Sequence, residues 1–365
     1  MTAMKPVLDL VIDANVVLVL AFCLWWVAQT AVVRSKLKTD YSLQLRLLRS
    51  VLVFVIASPL LAHAAVLSGQ FFWPEVPVTV SDLAVAAYLN GDIVMPALQF
   101  EQLLNSRSQT TDAFFAGKLP WATAIVIAVL AGSVLLLCKT LMTLLRIERI
   151  VAESYIWRRT DKVDIRLSDT ISVPFATRGL FRRHVVIPSF LLTSPSDMKI
   201  VLAHEFEHLR QGDVEWELAF EFLRPVLYFN PVFHFWKQKF GRVRELNCDQ
   251  SVLERLGISA GDYARCLLQF CGQRPSKRPD VSTFNVAFLR TGSKGRIALE
   301  RRILALSETR CSASGEPVFL LLAGLLAAGV ILSAATVRTP GDWSQDRLTL
   351  STVVNLERLE AINRR

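Results

Sequence analysis

The stretch at residues 120–138, PWATAIVIAVLAGSVLLLC, holds no charged residue. Its length is that of a helix crossing the hydrocarbon core of a bilayer, where every backbone polar group must be satisfied within the segment. A chain containing it folds around a membrane, and three further runs repeat the feature. Residues 317–337 are equally free of charge, and 8–33 carry only Asp9 and Asp13 at one end. Residues 51–67 are shorter and include Pro59 and His63, which suit contact with neighbouring helices better than lipid. Four spans are expected, at about 7–33, 50–67, 119–141 and 317–337. The mean hydropathy of +0.37 agrees. The first run has acids and a single Lys5 ahead of it and no small-residue cleavage pattern, so it reads as a retained span rather than a signal peptide.

The connecting loops set an orientation. Arg34, Lys36, Lys38, Arg46 and Arg49 crowd the first loop, whereas 68–118 is dominated by Glu75, Asp82, Asp92, Glu101 and Asp112. Basic loops stay in the cytoplasm. This predicts an N-terminal membrane region at 1–145 with an extracytoplasmic loop at 68–118, a cytoplasmic domain at 146–316, a last span at 317–337 and a short extracytoplasmic tail at 338–365. Both termini then lie outside. The formal charge of +9 comes largely from bases flanking spans, and no nucleic-acid motif accompanies it, so nucleic acid is not an expected partner. Cys248, Cys266, Cys271 and Cys311 fall in the cytoplasmic part, where reduced thiols are expected.

In 146–316 the pattern predicts α+β structure. The third helix continues through LMTLLRIERIVAESY. VDIRLSD and HVVIPSF then read as strands, with ATRGLFRR as a turn around Gly179. The strand at 184–188 is a candidate for aligning a peptide by edge pairing. A helix follows SPSD, with Ser194 as its cap and Pro195 in its first turn. The aromatic stretch VEWELAFEFLRPVLYFNPVFHFWKQKF is too charged for an easy span. It reads as helix lying in, or dipping into, the membrane interface, broken near Pro225 and Pro231. Arg301 and Arg302 read as a solvated helix face, with an exposed cleavage site as the alternative.

The chemistry lies in VLAHEFEHLRQGD. On a helix His204 and His208 are one turn apart on one face, and Glu205 stands beside them, the arrangement that binds zinc and handles a proton on its water. A catalytic zinc takes three protein ligands and keeps one open position. Glu245 on the next charged helix is the best third ligand, and Asp249, one turn on, can accept a hydrogen bond from a ligand histidine. Asp213 either fixes the turn after Gly212 or supports a ligand. Glu207 reads as a surface or packing residue, Cys248 as packed inside, and His63, His184 and His234 as without ligand spacing. Arg178, Arg210, Arg242 and Arg244 are unranked candidates for stabilising developing charge.

With SVPFATRGLFRRHVVIP upstream, LAHEFEHLRQGD, YFNP and RELNCDQSVL, in that order between spans, the chain resembles the membrane zinc peptidases of the beta-lactam-sensor type, family M56. The resemblance implies an α-helical integral membrane protein with four transmembrane helices and an inserted cytoplasmic α+β gluzincin-like metallopeptidase domain, in a bacterial inner (plasma) membrane. It implies one Zn2+ on His204, His208 and Glu245, with Glu205 as catalyst. It also implies regulated proteolysis of a cytoplasmic repressor or of the protein itself, with a second copy or a separate sensor protein as further partners. Antibiotic sensors of this type carry a penicillin-binding domain after the last span. Here only TPGDWSQDRLTLSTVVNLERLEAINRR follows, so no serine acylation site is expected. The alternatives are a quality-control or prenyl-protein gluzincin, which shares HExxH and a later ExxxD, and a non-catalytic membrane transmitter or scaffold.

Overall fold

The computed structural model describes residues 4–72, 80–179, 181–272, 293–308, 315–337, 349–356 and 359. Four helices are long and apolar enough to cross a membrane: α1 (Met4–Arg34), α2 (Tyr41–Phe72), α5 (Pro120–Glu153) and α11 (Glu316–Val337). The protein is a multi-pass membrane protein. The second helix starts earlier than expected, so Arg46 and Arg49 lie within it. This is tolerable because 50% of its candidate span is buried inside the protein, against 0% for that of α5. Arg46 bonds Glu316 at the start of α11 and lies 4.8 Å from the ring centre of Phe319.

The chain divides into two compact units. One contains α3 (Val80–Leu89), α4 (Ala97–Phe115) and most of the apolar length of α2 and α11. In it Val85, Ala97 and Phe100 bury a small core together with Leu350 and Val354, so the loop after the second span and the tail after the fourth pack on each other.

The other unit carries the α+β domain. α5 runs on to Glu153, where Nη1 of Arg166 takes the terminal carbonyls of Val151 and Ser154 at 2.7 and 3.1 Å. The chain then turns directly into β1 (Tyr155–Arg159), a strand that begins at the last residue of the expected helix and for which the sequence pattern makes no prediction. β2 (Val163–Ser168), β3 (Phe175–Arg178) and β4 (Arg183–Pro188) complete a four-stranded sheet in the order β1-β2-β4-β3, antiparallel except for β2 against β4. β3 occupies the first half of the expected turn region, which is confined to residues just after Arg178, where Gly179 N–H bonds Arg182 O.

β4 is central, which explains its unbroken apolar run. Val185 and Ile187 pack with Val201 and Leu209 on one face, while Val186 meets Ile147 and Val151 of α5 on the other. Each fully buried side chain of this kind contributes about 1.5–3 kcal/mol. β4 is paired along its length with β2 and, as far as Val186, with β3, so most of the expected edge pairing by 184–188 is not available. β3 ends the sheet instead.

α6 (Pro195–Gln211) lies against the sheet, begins with Pro195 at its first turn and receives no side-chain bond from Ser194, contrary to expectation. It stops at Gly212, whose φ of 70° is left-handed and needs glycine. α7 (Asp213–Leu227) starts at the next residue. α8 (Pro231–Leu256) returns beside α7, and Phe220 packs against Phe233 and Phe240 with ring centres 6.0 and 4.9 Å apart. α9 (Ala260–Gly272) and α10 (Ser293–Leu306) close the domain.

Candidate metal centre

Five helices bring one cluster together. α6 places His204 and His208 one turn apart, both buried, with Nε2 of one ring 3.1 Å from Nε2 of the other and the rings nearly perpendicular. α8 brings in Glu245, whose Oε2 and Oε1 lie 3.7 and 3.8 Å from the two Nε2 atoms of His204 and His208 respectively.

The other ring nitrogens decide what these atoms offer. Nδ1 of His208 donates to Oδ2 of Asp213 at 2.7 Å, a contact enforced by the one-residue turn at Gly212. Nδ1 of His204 lies 2.9 Å from the hydroxyl of Tyr263, which itself donates to Oδ1 of Asp249 at 2.7 Å. The hydroxyl's own proton is thus committed, and it accepts from the imidazole. With Nδ1–H of each ring committed to these partners, loss of any proton at Nε2 would leave a neutral Nδ1–H tautomer whose Nε2 lone pair faces the other ring and a carboxylate. Two imidazole Nε2 atoms and one carboxylate converge.

That arrangement wants a cation. Burial alone pushes the His204 imidazole down, but the sulfur of Cys248 and the carboxylate of Glu245 push it up to about 10. Burial likewise opposes charge on His208, which is nevertheless raised well above its ordinary value by Cys248, Asp213 and Glu245. Burial raises Glu245, but the two histidines, Arg302 and Arg244 hold it well below the usual carboxylate range. Two nitrogens each bound to zinc at a tetrahedral angle stand about 3.4 Å apart, close to the separation seen. Oε2 of Glu245 and Oε2 of Glu205 are buried without a hydrogen-bond partner. The residues fit a zinc ion.

Cys248 also belongs to the neighbourhood. His204, His208 and Cys248 offer ligand atoms within 4.8 Å of one another, a cluster compatible with a single Zn2+. Its sulfur, however, lies 3.4 Å from Nδ1 of His204, the side of the ring already bonded to Tyr263. Glu245 stands on the Nε2 side.

Glu205 is buried beside the cluster and lines a small cavity with Pro174, Val201, His204 and Tyr263, so the residue just before the edge strand β3 shares the cavity with it. Sequence reasoning missed Tyr263 and Arg302. Arg302 is buried on α10 and grips Asp249 through two bonds, Nε to Oδ2 at 2.7 Å and Nη2 to Oδ1 at 2.6 Å, with Nη1 3.3 Å from Oε2 of Glu245. Neither the solvated-face nor the exposed-cleavage reading of this residue survives.

The remaining candidates separate cleanly. Arg244 is buried and bonds Glu245 Oε1 at 3.1 Å and Glu217 at 2.9 Å. Arg178 pairs with Glu215, Arg210 with Glu207, and Arg242 with Gln238, so none of these three reaches the cluster through its described bonds. Glu207 is buried in an ion pair with Arg210 and Arg255. His184 lies in the sheet near Asp164 at 3.7 Å. His63 lies where side chains are outside the described set.

The family described as BlaR1 peptidase M56 matches residues 9–306. The chain belongs to peptidase family M56. Within it, Regulatory protein BlaR1 of Bacillus licheniformis is 27% identical over 177 residues, which is 46% of this chain and 28% of that protein. The chain therefore aligns with less than a third of that relative's length. The M56 fold and the histidine cluster are those of a membrane zinc-protease architecture.

Proposed function

We propose that this M56 protein is a membrane zinc metalloendopeptidase acting in regulated proteolysis. His204, His208 and Glu245 hold one zinc ion and Glu205 is the general base. The observation that carries the reading is the convergence of two imidazole lone pairs and a carboxylate, with Glu205 alongside and unpartnered at one oxygen. Zinc supplies Lewis acidity, which makes water a nucleophile at neutral pH and polarises the scissile carbonyl.

The chain's own residues do the rest. Glu205 takes the proton of the attacking water and delivers it to the departing amine nitrogen. Asp213 fixes the tautomer of His208, and Tyr263, backed by Asp249, fixes that of His204. Arg244 and Arg302 orient the Glu245 carboxylate from its two sides. The edge of β3, beside the cavity at Pro174, is the backbone that an extended substrate would pair with.

The substrate in this reading is a cytoplasmic repressor or the protein itself, and the domain at 146–316 faces the cytoplasm with both termini outside. The basic first loop supports that orientation. The shared core of Val85, Ala97 and Phe100 with Leu350 and Val354 supports placing the second loop and the tail on one side.

Comparative proteomics of wild type and Glu205→Gln tests the activity. A cytoplasmic fragment present with wild type and lost with the variant is expected, while the variant keeps its zinc. Unchanged fragments and unchanged biological output in Glu205→Gln would overturn the peptidase reading in favour of a non-catalytic transmitter.

A further inference from the structure

We infer that the hairpin joining α7 to α8 is inserted in the bilayer, so that the partner of its exposed aromatic face is lipid hydrocarbon. Phe222 and Val226 stand one turn apart at the end of α7 and Phe229 lies in the turn that follows; they are 56%, 47% and 47% exposed. Phe235, on the first turns of α8, is 60% exposed. Between Pro225 and Trp236 the chain has no acidic or basic residue apart from His234. An apolar stripe of this size on a water-facing hairpin is unusual.

Three observations say what covers it. First, the hairpin is tied to a membrane span. Ser133 Oγ of α5 donates to the carbonyl of Pro225 at 2.6 Å, and the Tyr228 ring lies against Gly132, where a Cβ would collide with its hydroxyl. Ser133 belongs to the charge-free part of α5, six residues before Lys139, or about 9 Å along the helix on the apolar side of that first charge. The hairpin turn is held at that depth.

Second, several backbone groups of the turn find partners within the protein, as hydrocarbon favours. His234 Nε2 donates to Tyr228 O at 2.6 Å, Asn230 N–H bonds Leu227 O, and the Asn230 side chain accepts Val232 N–H. Pro231 has no N–H to satisfy. A helix junction in water leaves such groups to solvent; here side chains and a neighbouring span take them.

Third, the charges bordering the tip neutralise one another. Lys237 of α8 bridges Glu217 and Glu221 of α7, and Arg224 pairs with Glu221 at 3.4 Å. These pairs draw the two helices together at the level where the apolar face begins.

For the proposed peptidase, and resting on that reading, the hairpin sets the height of the metal centre. Asp213 begins α7 and Glu245 lies fourteen residues into α8, so at most about 22 Å of helix separates either from the tip. With the tip about 9 Å beyond the first charge of α5, the metal centre stands close to the headgroups, within reach of substrate segments that lie at the membrane surface.

The test is lipid photolabelling. The full-length protein is reconstituted in phosphatidylcholine and phosphatidylglycerol vesicles containing a phospholipid with a diazirine near the end of one acyl chain, irradiated, and its adducts mapped by peptide mass spectrometry. Adducts are expected at Phe222, Val226, Phe229 or Phe235 in yields comparable with Leu135 of α5. None is expected at Phe181, which is 92% exposed in the loop before β4. Labelling of α5 without labelling of 222–235, or equal labelling of Phe181, would overturn the inference. Labelling requires no turnover, so the Glu205→Gln protein must give the same pattern, and a failure of the peptidase reading leaves this result standing.

Discussion

At its beginning α8 leaves Phe235 and His234 exposed while burying Trp236 and Phe233. Fourteen residues after Pro231 the same helix buries Arg244, Glu245, Asn247 and Asp249, none more than 8% exposed. One end shows apolar side chains to its surroundings and the other hides charges. Each inverts the surface rule of a helix in water. The difference teaches that α8 serves two environments. An exposed phenylalanine is favourable where the solvent is lipid, and a buried carboxylate is tolerable where cations surround it: two arginines already present and the zinc ion that the histidine lone pairs call for.

The strongest way to break the comparison is at the charged end. His204→Ala removes one of the three convergent donors, and zinc in the purified protein, measured by mass spectrometry of the metal, should fall from about one ion per chain to near none. Glu205→Gln should retain it. Equal zinc in wild type and His204→Ala would mean that the buried charges answer to something other than a metal.

Arg302→Met comes next. It leaves Asp249 and Glu245 buried with one counter-charge removed, for which a loss of about 3–5 kcal/mol is expected. A chemical denaturation midpoint in detergent reads it, and Arg302→Met combined with Asp249→Leu should recover part of the loss. A single variant as stable as wild type would show that the two bonds to Asp249 contribute nothing net. A smaller effect is expected from Asp213→Asn. It weakens the support of His208 without removing a ligand and should reduce zinc affinity about 10- to 100-fold, checked by competition with a chromophoric chelator.

The parts of this site legible in the sequence are those set by one helix. His204, Glu205 and His208 share a turn, and Glu245 and Asp249 share another, so spacing alone put each set on a common face. The four long helices were legible for the same local reason, since charge-free runs of that length admit few other structures. Tyr263 and Arg302 reach the cluster from helices whose approach depends on how the domain packs, and nothing within YARCLLQF or ALERRILAL states that one side chain enters a site. β1 was hidden too. YIWRR follows a helical run without a glycine or proline, and the helix ends there because Arg166, eleven residues beyond Tyr155, takes its last carbonyls. β4, in turn, looked like an available strand, although its apolar run on both faces was the mark of a central one.

The finest test lies at the apolar end, in Asn230. Its side chain accepts the Val232 N–H that would otherwise be unpaired at the start of α8. In a helix bathed by water, Asn→Ala at such a cap costs about 1 kcal/mol, because water takes the freed N–H. In hydrocarbon no water is there to do so, and the unpaired donor carries its full desolvation penalty. Asn230→Ala should therefore cost about 1 kcal/mol in small detergent micelles, where solvent reaches the turn, and distinctly more in vesicles. Stability in the two media can be compared by the rate of proteolysis at a site within the α+β domain. Equal losses in both would mean that water bathes the hairpin in the vesicle as well, and the two ends of α8 would then share one solvent.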